Sequence, residues 1–143
     1  MLALTQEQLI EAIGYLYEAL EVLESVGKEI ESGTVRGMVI SEKLAEAWFK
    51  VNCCRLHTQE DVNLEDLNLE AMGLINDAKC MMESLIEWKK GMTRQGKLCI
   101  MDSISAAAGN LFLVLCELEE WLTGITEDRA VDGVKHRISR TVY

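Results

Sequence analysis

The residues of this chain best suited to chemistry are its carboxylates. Glu18, Glu21 and Glu24 recur one helical turn apart, as do Glu117 and Glu120. Helical bundles that bind magnesium or two iron ions use such pairs, facing inward from several helices. The Glu-x-x-His signature of di-iron sites is absent from the sequence, and Glu18 lies opposite the leucine-rich side of its helix. We therefore expect solvated carboxylates and no metal or other cofactor, with Glu18, Glu21 and Glu120 as the alternative metal-binding set.

A second candidate for chemistry is the pair Arg129 and His136, which are separated by six residues. This spacing matches the loose Arg-x4–6-His pattern of helical RNases of the HEPN type. In that class the arginine stabilises charge and the histidine moves a proton during attack by the RNA 2′-hydroxyl. Gly133 interrupts the intervening helix, and an acidic chain repels RNA. We therefore expect no catalytic residues, and the alternatives are a HEPN-like RNase and a metal-dependent helical hydrolase.

The composition favours a single all-α domain. The chain has 143 residues, no proline, 49% hydrophobic residues and a formal net charge of −10. The length suits one domain, and the lack of proline suits long helices. An acidic chain repels phosphates, so no direct nucleic-acid binding is expected. The longest charge-free run, Ser103 to Cys116, is shorter than the roughly 18 residues of a membrane span, so no membrane association is expected.

The cysteines and the N-terminus bear on the compartment. There are five cysteines, and the N-terminal residues carry no basic segment of the kind that begins a signal peptide. An odd number of cysteines argues against a secreted disulfide framework. These features predict free thiols and a cytoplasmic protein.

Hydrophobic spacing predicts four helices. The first begins with a capping box formed by Thr5 and Gln8 and ends at Gly33. The second lies within 34–57, and Ser41 is an alternative start for it. Asn63 is the predicted cap of the third helix. The fourth is predicted over 97–123, ended by Gly124.

The chain also resembles itself. Residues 11–25 align without gaps on residues 70–84, with six identities at an offset of 59. Two duplicated αα-hairpins, each with one apolar side, would bury those sides against each other. We predict an up-down-up-down four-helix bundle over residues 1–125, with repeats at about 5–60 and 63–124. Residues 126–143 form a short basic C-terminal tail, partly helical or flexible.

Two glycines occupy equivalent positions in these repeats. Gly14 and Gly73 lie inside helices, where glycine costs about 1 kcal/mol relative to alanine. Their recurrence predicts that helix backbones approach closely at these positions. Leucine at either site is then expected to lower the melting temperature sharply.

The first helix has a wider apolar arc than one neighbouring helix can cover, so we expect two packing partners or a second subunit. Its acidic strip is formed by Glu11, Glu18 and Glu29. This strip could face a basic stripe on the second helix, of the same chain or of another copy, formed by Arg36, Lys43 and Lys50. The candidate interface residues are apolar or aromatic and acidic: Ile10, Tyr15, Tyr17, Val22, Glu11, Glu18 and Glu29.

These observations predict a non-enzymatic, acidic helical module for protein–protein interaction, acting as a regulator, adaptor or inhibitor. A homodimer through the first helix is the simplest way to bury its apolar surface. A basic protein partner would suit its acidic flank. A further alternative is an acidic, nucleic-acid-mimicking inhibitor or an immunity or anti-defence protein, which offers carboxylates to a basic target such as the nucleic-acid groove of a nuclease.

Overall fold

The computed structural model describes residues 4–33, 36–87 and 93–137, with side chains throughout except at 86, 87 and 126–137. Within these ranges the secondary structure is four α-helices and no strand. They are α1 Gln6–Ser32, α2 Gly37–Thr58, α3 Val62–Glu87 and α4 Arg94–Arg137.

The helices form the expected four-helix bundle. Each helix packs against the next along the chain, and α1 also packs against α4. Within the described residues, no Cα atoms of the diagonal pairs, α1 with α3 and α2 with α4, lie within 8 Å of each other. Between α1 and α4, Tyr17 contacts Glu119 and Glu31 contacts Lys97, so the residue numbers run in opposite directions and these two helices are antiparallel. The wide apolar arc of α1 is thus covered by two neighbours of the same chain.

Local hydrogen bonds set the helix starts. The capping box of α1 is confirmed, since Gln8 N–H donates to Thr5 Oγ1 and Thr5 N–H donates to Gln8 Oε1. Gly33 ends α1 with φ of 67°, in the left-handed region that favours glycine. The predicted cap of α3 is wrong. Asp61, not Asn63, accepts the Leu64 N–H at 3.0 Å, so α3 begins two residues nearer the N-terminus than a cap at Asn63 would allow.

Two other boundaries differ from expectation. Ser41 lies inside α2, where its hydroxyl donates to Glu83 Oε1 at 3.1 Å, and does not start a helix. Gly124 does not end α4, which continues to Arg137. Ile125, the residue after Gly124, packs against the core, as do Trp121 and Leu122 before it. One glycine inside a helix costs only about 1 kcal/mol relative to alanine, which by itself does not end a helix.

The core repeats at the offsets of the sequence repeat. Leu16 and Ile75, 59 residues apart, are both fully buried, as are Val51 and Leu111, 60 residues apart. Equivalent positions of the two hairpins therefore face the same interior. The buried pairs at these offsets also include Ala12 with Ala71, Ala19 with Ala78, Leu23 with Met82, Ile40 with Ile100, Leu44 with Ile104 and Ala47 with Ala107.

The prediction that helix backbones approach closely at Gly14 and Gly73 is wrong. Gly14 and Gly73 are exposed, and a Cβ built on either would have no atom of a neighbouring element within 4 Å. Each lies on the side of its helix that points away from the core. No helix crossing occurs at these positions.

Among the described residues, one helix has the length and composition to span a membrane. It is the stretch Arg94–Ile125 of α4, and 33% of its apolar window is buried inside the bundle. The apolar residues that pack into the bundle contribute to this composition, since one side of a core helix must be apolar.

Candidate functional site

The acidic strip of α1 faces the basic stripe of α2 within the same chain. Glu18 Oε2 lies 2.7 Å from Lys50 Nζ, and Glu11 Oε2 lies 3.5 Å from His57 Nε2. Glu11 and Glu18 are seven residues apart on α1, and their partners are seven residues apart on α2. The residue numbers rise along α1 as those of the partners fall along α2. An antiparallel helix pair with heptad spacing produces this arrangement. We call it the α1–α2 polar seam.

A third pair continues this seam toward the α1 C-terminus. Lys43 Nζ forms an ion pair with Glu29 and donates a hydrogen bond to Ser25 Oγ at 3.4 Å. Both charged side chains are partly buried, and Glu29 Oε2 has no hydrogen-bond partner among the described residues. Arg36, the first residue of the predicted basic stripe, is exposed at the N-cap of α2. Thus Glu11, Glu18 and Glu29 each face a basic side chain of α2 in the same chain, while Glu11 and Glu18 remain more than half exposed.

An aromatic ring is part of the seam. Tyr15 stacks on His57, with ring centroids 6.2 Å apart and an interplanar angle of 18°. Lys50 Nζ lies 5.9 Å from the Tyr15 ring centroid. The hydrogen bond to Glu18 raises the pKa of Lys50, so Lys50 stays charged. Tyr15 is therefore engaged within the chain.

The other candidate interface residues of α1 are more open. Ile10 and Tyr17 are each 51% exposed. Tyr17 Oη donates to Glu119 Oε2 at 2.8 Å, and this bond raises the pKa of Tyr17. Val22 lies in an open polar groove of about 450 Å³ between α1 and α2, lined by Glu18, Glu21, Val22, Ser25, Lys43, Glu46 and Lys50. The lining alternates charges of both signs, so it offers no uniform acidic surface.

The alternative metal set does not converge. Glu18, Glu21 and Glu120 are all exposed, and Glu18 is paired with Lys50. Among the described residues no group of three or more His, Cys, Asp and Glu side chains could hold a metal ion. The side chains of Arg129 and His136 lie outside the described residues, although the backbone of α4 is helical through both positions.

A buried polar cluster between α2 and α3 was not predicted. Asn68 is fully buried, and its Nδ2 donates to Thr58 Oγ1 at 2.8 Å. The Thr58 hydroxyl in turn donates to the Cys54 carbonyl at 3.3 Å. Asn68 Oδ1 has no partner among the described residues. Burial raises the pKa of the Cys54 thiol to about 12, which makes it a poor nucleophile.

Large apolar side chains remain exposed on α2 and α4. Phe49 and Leu56 on α2, and Phe112 and Leu113 on α4, are each more than half exposed. At 100° per residue these side chains lie on the sides of their helices that point away from the core. The spacing of apolar residues could have predicted these exposed side chains, because both helices have apolar residues on more than one side.

An apolar groove adjoins the exposed side of α4. It has a volume of about 430 Å³ and runs between α1 and α4 beside Phe112. Two small residues, Gly27 on α1 and Ala108 on α4, are part of its lining. The complete lining is Leu20, Leu23, Glu24, Gly27, Met101, Ile104, Ser105, Ala108 and Phe112.

Comparison with known proteins gives no match: neither the protein-family models, nor the curated proteins, nor the solved structures contain a significant relative of this chain.

Proposed function

We propose that this chain is a small, acidic, non-enzymatic helical module that acts through protein–protein interaction and assembles with itself. The observation that carries the proposal is the set of large apolar side chains on the outward sides of α2 and α4. Because α2 and α4 are not neighbours in the bundle, these side chains form two separate surfaces, and exposed apolar surface on a folded domain can mark an interaction site. The seam carboxylates support the proposal indirectly, because they are engaged in holding two helices together.

The proposal places the chain in the cytoplasm, without a cofactor and without direct contact to nucleic acid or membrane. The net charge of −10 supports this assignment, since it opposes binding to phosphate backbones and anionic lipids. The free thiols of all five cysteines suit a reducing compartment.

The proposal is tested by placing a charge on each outward side in turn. Phe49→Glu on α2 and Leu113→Glu on α4 replace side chains of equal exposure, 57% each, that contribute little to the core. Both variants should keep the helical content and melting temperature of the wild type. At least one variant should no longer self-associate, as measured by light scattering, or should no longer bind a partner that cross-linking identifies in the native host. If neither variant changes the mass or the cross-linked partners, the proposal is wrong.

A second candidate function, an inhibitor that offers carboxylates to a basic target, has one observation in its favour. Glu7, Glu21 and Glu31 are exposed on α1 and form no ion pair with the described residues. A basic protein such as a nuclease would then bind α1 with strong salt dependence. Replacing all three by glutamine should weaken that binding at least tenfold. Unchanged affinity for a panel of basic nucleases would exclude this function.

A further inference from the structure

The outer side of α4 carries exposed apolar side chains beside small residues. We define this face as the outward-pointing residues around Gly109, namely Ser105, Ala106, Gly109, Phe112 and Leu113. Phe112 and Leu113 are 58% and 57% exposed. A Cβ on Gly109 would have no atom of a neighbouring element within 4 Å. The face therefore has an open centre, small side chains toward its N-terminal end and large ones toward its C-terminal end.

We propose that a second copy of this chain occupies this face, with the two α4 helices antiparallel and related by a two-fold axis at Gly109. This inference rests on the proposed function and names its partner. The axis brings Leu113 of one copy over Ser105 of the other, and Phe112 over Ala106. Large side chains thus meet small ones on both halves of the contact. A two-fold interface requires such a self-complementary surface.

Charge supports a second copy over other partners. No charged residue occurs from Ser103 through Cys116, although the whole chain has a net charge of −10. Two acidic copies therefore meet with least repulsion across this stretch of α4. A basic protein partner would have no carboxylate to pair with between Asp102 and Glu117. Electrostatic complementarity, which guides many acidic proteins to basic targets, is thus absent at this face.

The size of the face sets the expected strength. Phe112 and Leu113 are each more than half exposed, and Ser105, Ala106 and Gly109 add less area. A contact of this size lies at or below the roughly 1,000 Å² in total that specific interfaces bury. The dimer should therefore be weak, with dissociation in the micromolar range, and should follow mass action.

Gly109→Leu separates association from folding. The site is exposed and open, so leucine should leave the fold of one copy intact and improve helix propensity. At the two-fold axis, however, two leucines would collide. The matched control is Gly73→Leu, at an equally open and exposed glycine on α3. We expect twice 16.1 kDa for the wild type and Gly73→Leu at about 100 µM, and an association at least tenfold weaker for Gly109→Leu.

Cysteine cross-linking tests the direction of the helices. In a background with serine at Cys80, Cys99 and Cys116, the double variant Ser105→Cys, Leu113→Cys should form disulfide-linked dimers. The two sites are eight residues, about 12 Å, apart on one helix, too far for a bond within one copy. Leu113→Cys alone should form no dimer. A parallel pair would link Leu113→Cys alone as well as the double variant, and that result would overturn the assigned geometry.

Three results would overturn the inference altogether. A monomeric wild type at about 100 µM would exclude self-association at the expected strength. A Gly109→Leu variant that remains dimeric would place the interface elsewhere and leave the proposed function standing. Binding of the wild type to phosphatidylcholine vesicles, abolished by Leu113→Glu, would assign the face to a membrane. Failure of the proposed function is distinct, because it requires Phe49→Glu and Leu113→Glu both to be without effect on any partner.

Discussion

Alanine at Gly14 and at Gly73 tests the outward orientation of these two helix sites. Both glycines lie in helix interiors, are exposed, and have no atom of a neighbouring element within 4 Å of a built Cβ. Alanine therefore meets no obstacle and gains helix propensity. A glycine inside a helix costs about 1 kcal/mol relative to alanine. Each substitution should thus raise the free energy of unfolding by about 1 kcal/mol.

The two effects should add. Gly14 lies on α1 and Gly73 on α3, which are not adjacent in the bundle, and neither site has an atom of a neighbouring element within 4 Å of a built Cβ. Substitutions without shared contacts are additive to within about 0.5 kcal/mol. The double variant should be stabilised by about 2 kcal/mol. At about 3 °C per kcal/mol for a domain of this size, its melting temperature should rise by about 6 °C.

Urea denaturation followed by circular dichroism measures this gain, at one low protein concentration so that self-association does not contribute. Gly33→Ala is the control. It also has no atom within 4 Å, but its φ of 67° is strained for alanine, so the free energy of unfolding should fall by about 1 kcal/mol. A lower midpoint for Gly14→Ala or Gly73→Ala would refute the reasoning. It would show that a backbone does approach these glycines.

Three further outcomes are expected from side chains at the helix contacts. Thr58→Val should lower the free energy of unfolding by about 1 to 3 kcal/mol in urea titrations, because it removes the oxygen that accepts from buried Asn68; Thr58→Ser should cost less. Cys54 should resist alkylation at pH 9 until the chain unfolds, as followed by mass spectrometry, while the exposed cysteines react at once. Burial raises the pKa of Cys54 to about 12 in the folded chain, compared with the ordinary value of 9.0 in the unfolded chain. The neutral thiol therefore stabilises the fold fully below pH 9. That contribution is lost as the pH rises from 9 through 12. Lys43→Met should cost about 1 kcal/mol, because it leaves the partly buried carboxylate of Glu29 without its cation; a stability equal to that of the wild type would show that the pair contributes nothing.

The sequence predicted the fold because its strongest signals are local. Thr5, Gln8 and Gly33 define the ends of α1 through hydrogen bonds and backbone angles within one turn. Asp61 and Asn63 are both good caps, so residue type alone does not distinguish them, and the hydrogen bond from the Leu64 N–H identifies Asp61. The continuation of α4 past Gly124 could not be predicted, because a glycine inside a helix and a glycine at its end look the same in the sequence.

The polar contacts were harder to place. The acidic strip and the basic stripe were visible as heptad patterns, but their pairing depends on the register of α1 against α2. Glu18 with Lys50 fixes that register. Gly14 and Gly73 were misread because a recurring glycine can mark either close packing or an outward site, and spacing alone does not distinguish these. Asn68 gave no signal, since an asparagine in a helix looks the same when buried as when solvated.

The divergence of the two hairpins favours α4 over α2 as the surface for assembly. With the 60-residue offset that superimposes their buried positions, Glu46 of α2 corresponds to Ala106 of α4, and Phe49 corresponds to Gly109. The outward side of α4 thus lacks an acid that α2 retains, and has a glycine where α2 has an exposed aromatic ring. A face without charge and with an open centre admits a second helix closely, whereas Glu46 and Phe49 would hold it away. The second hairpin, whose α4 has no charged residue from Ser103 through Cys116, is therefore the one that we propose to contact an identical, acidic chain.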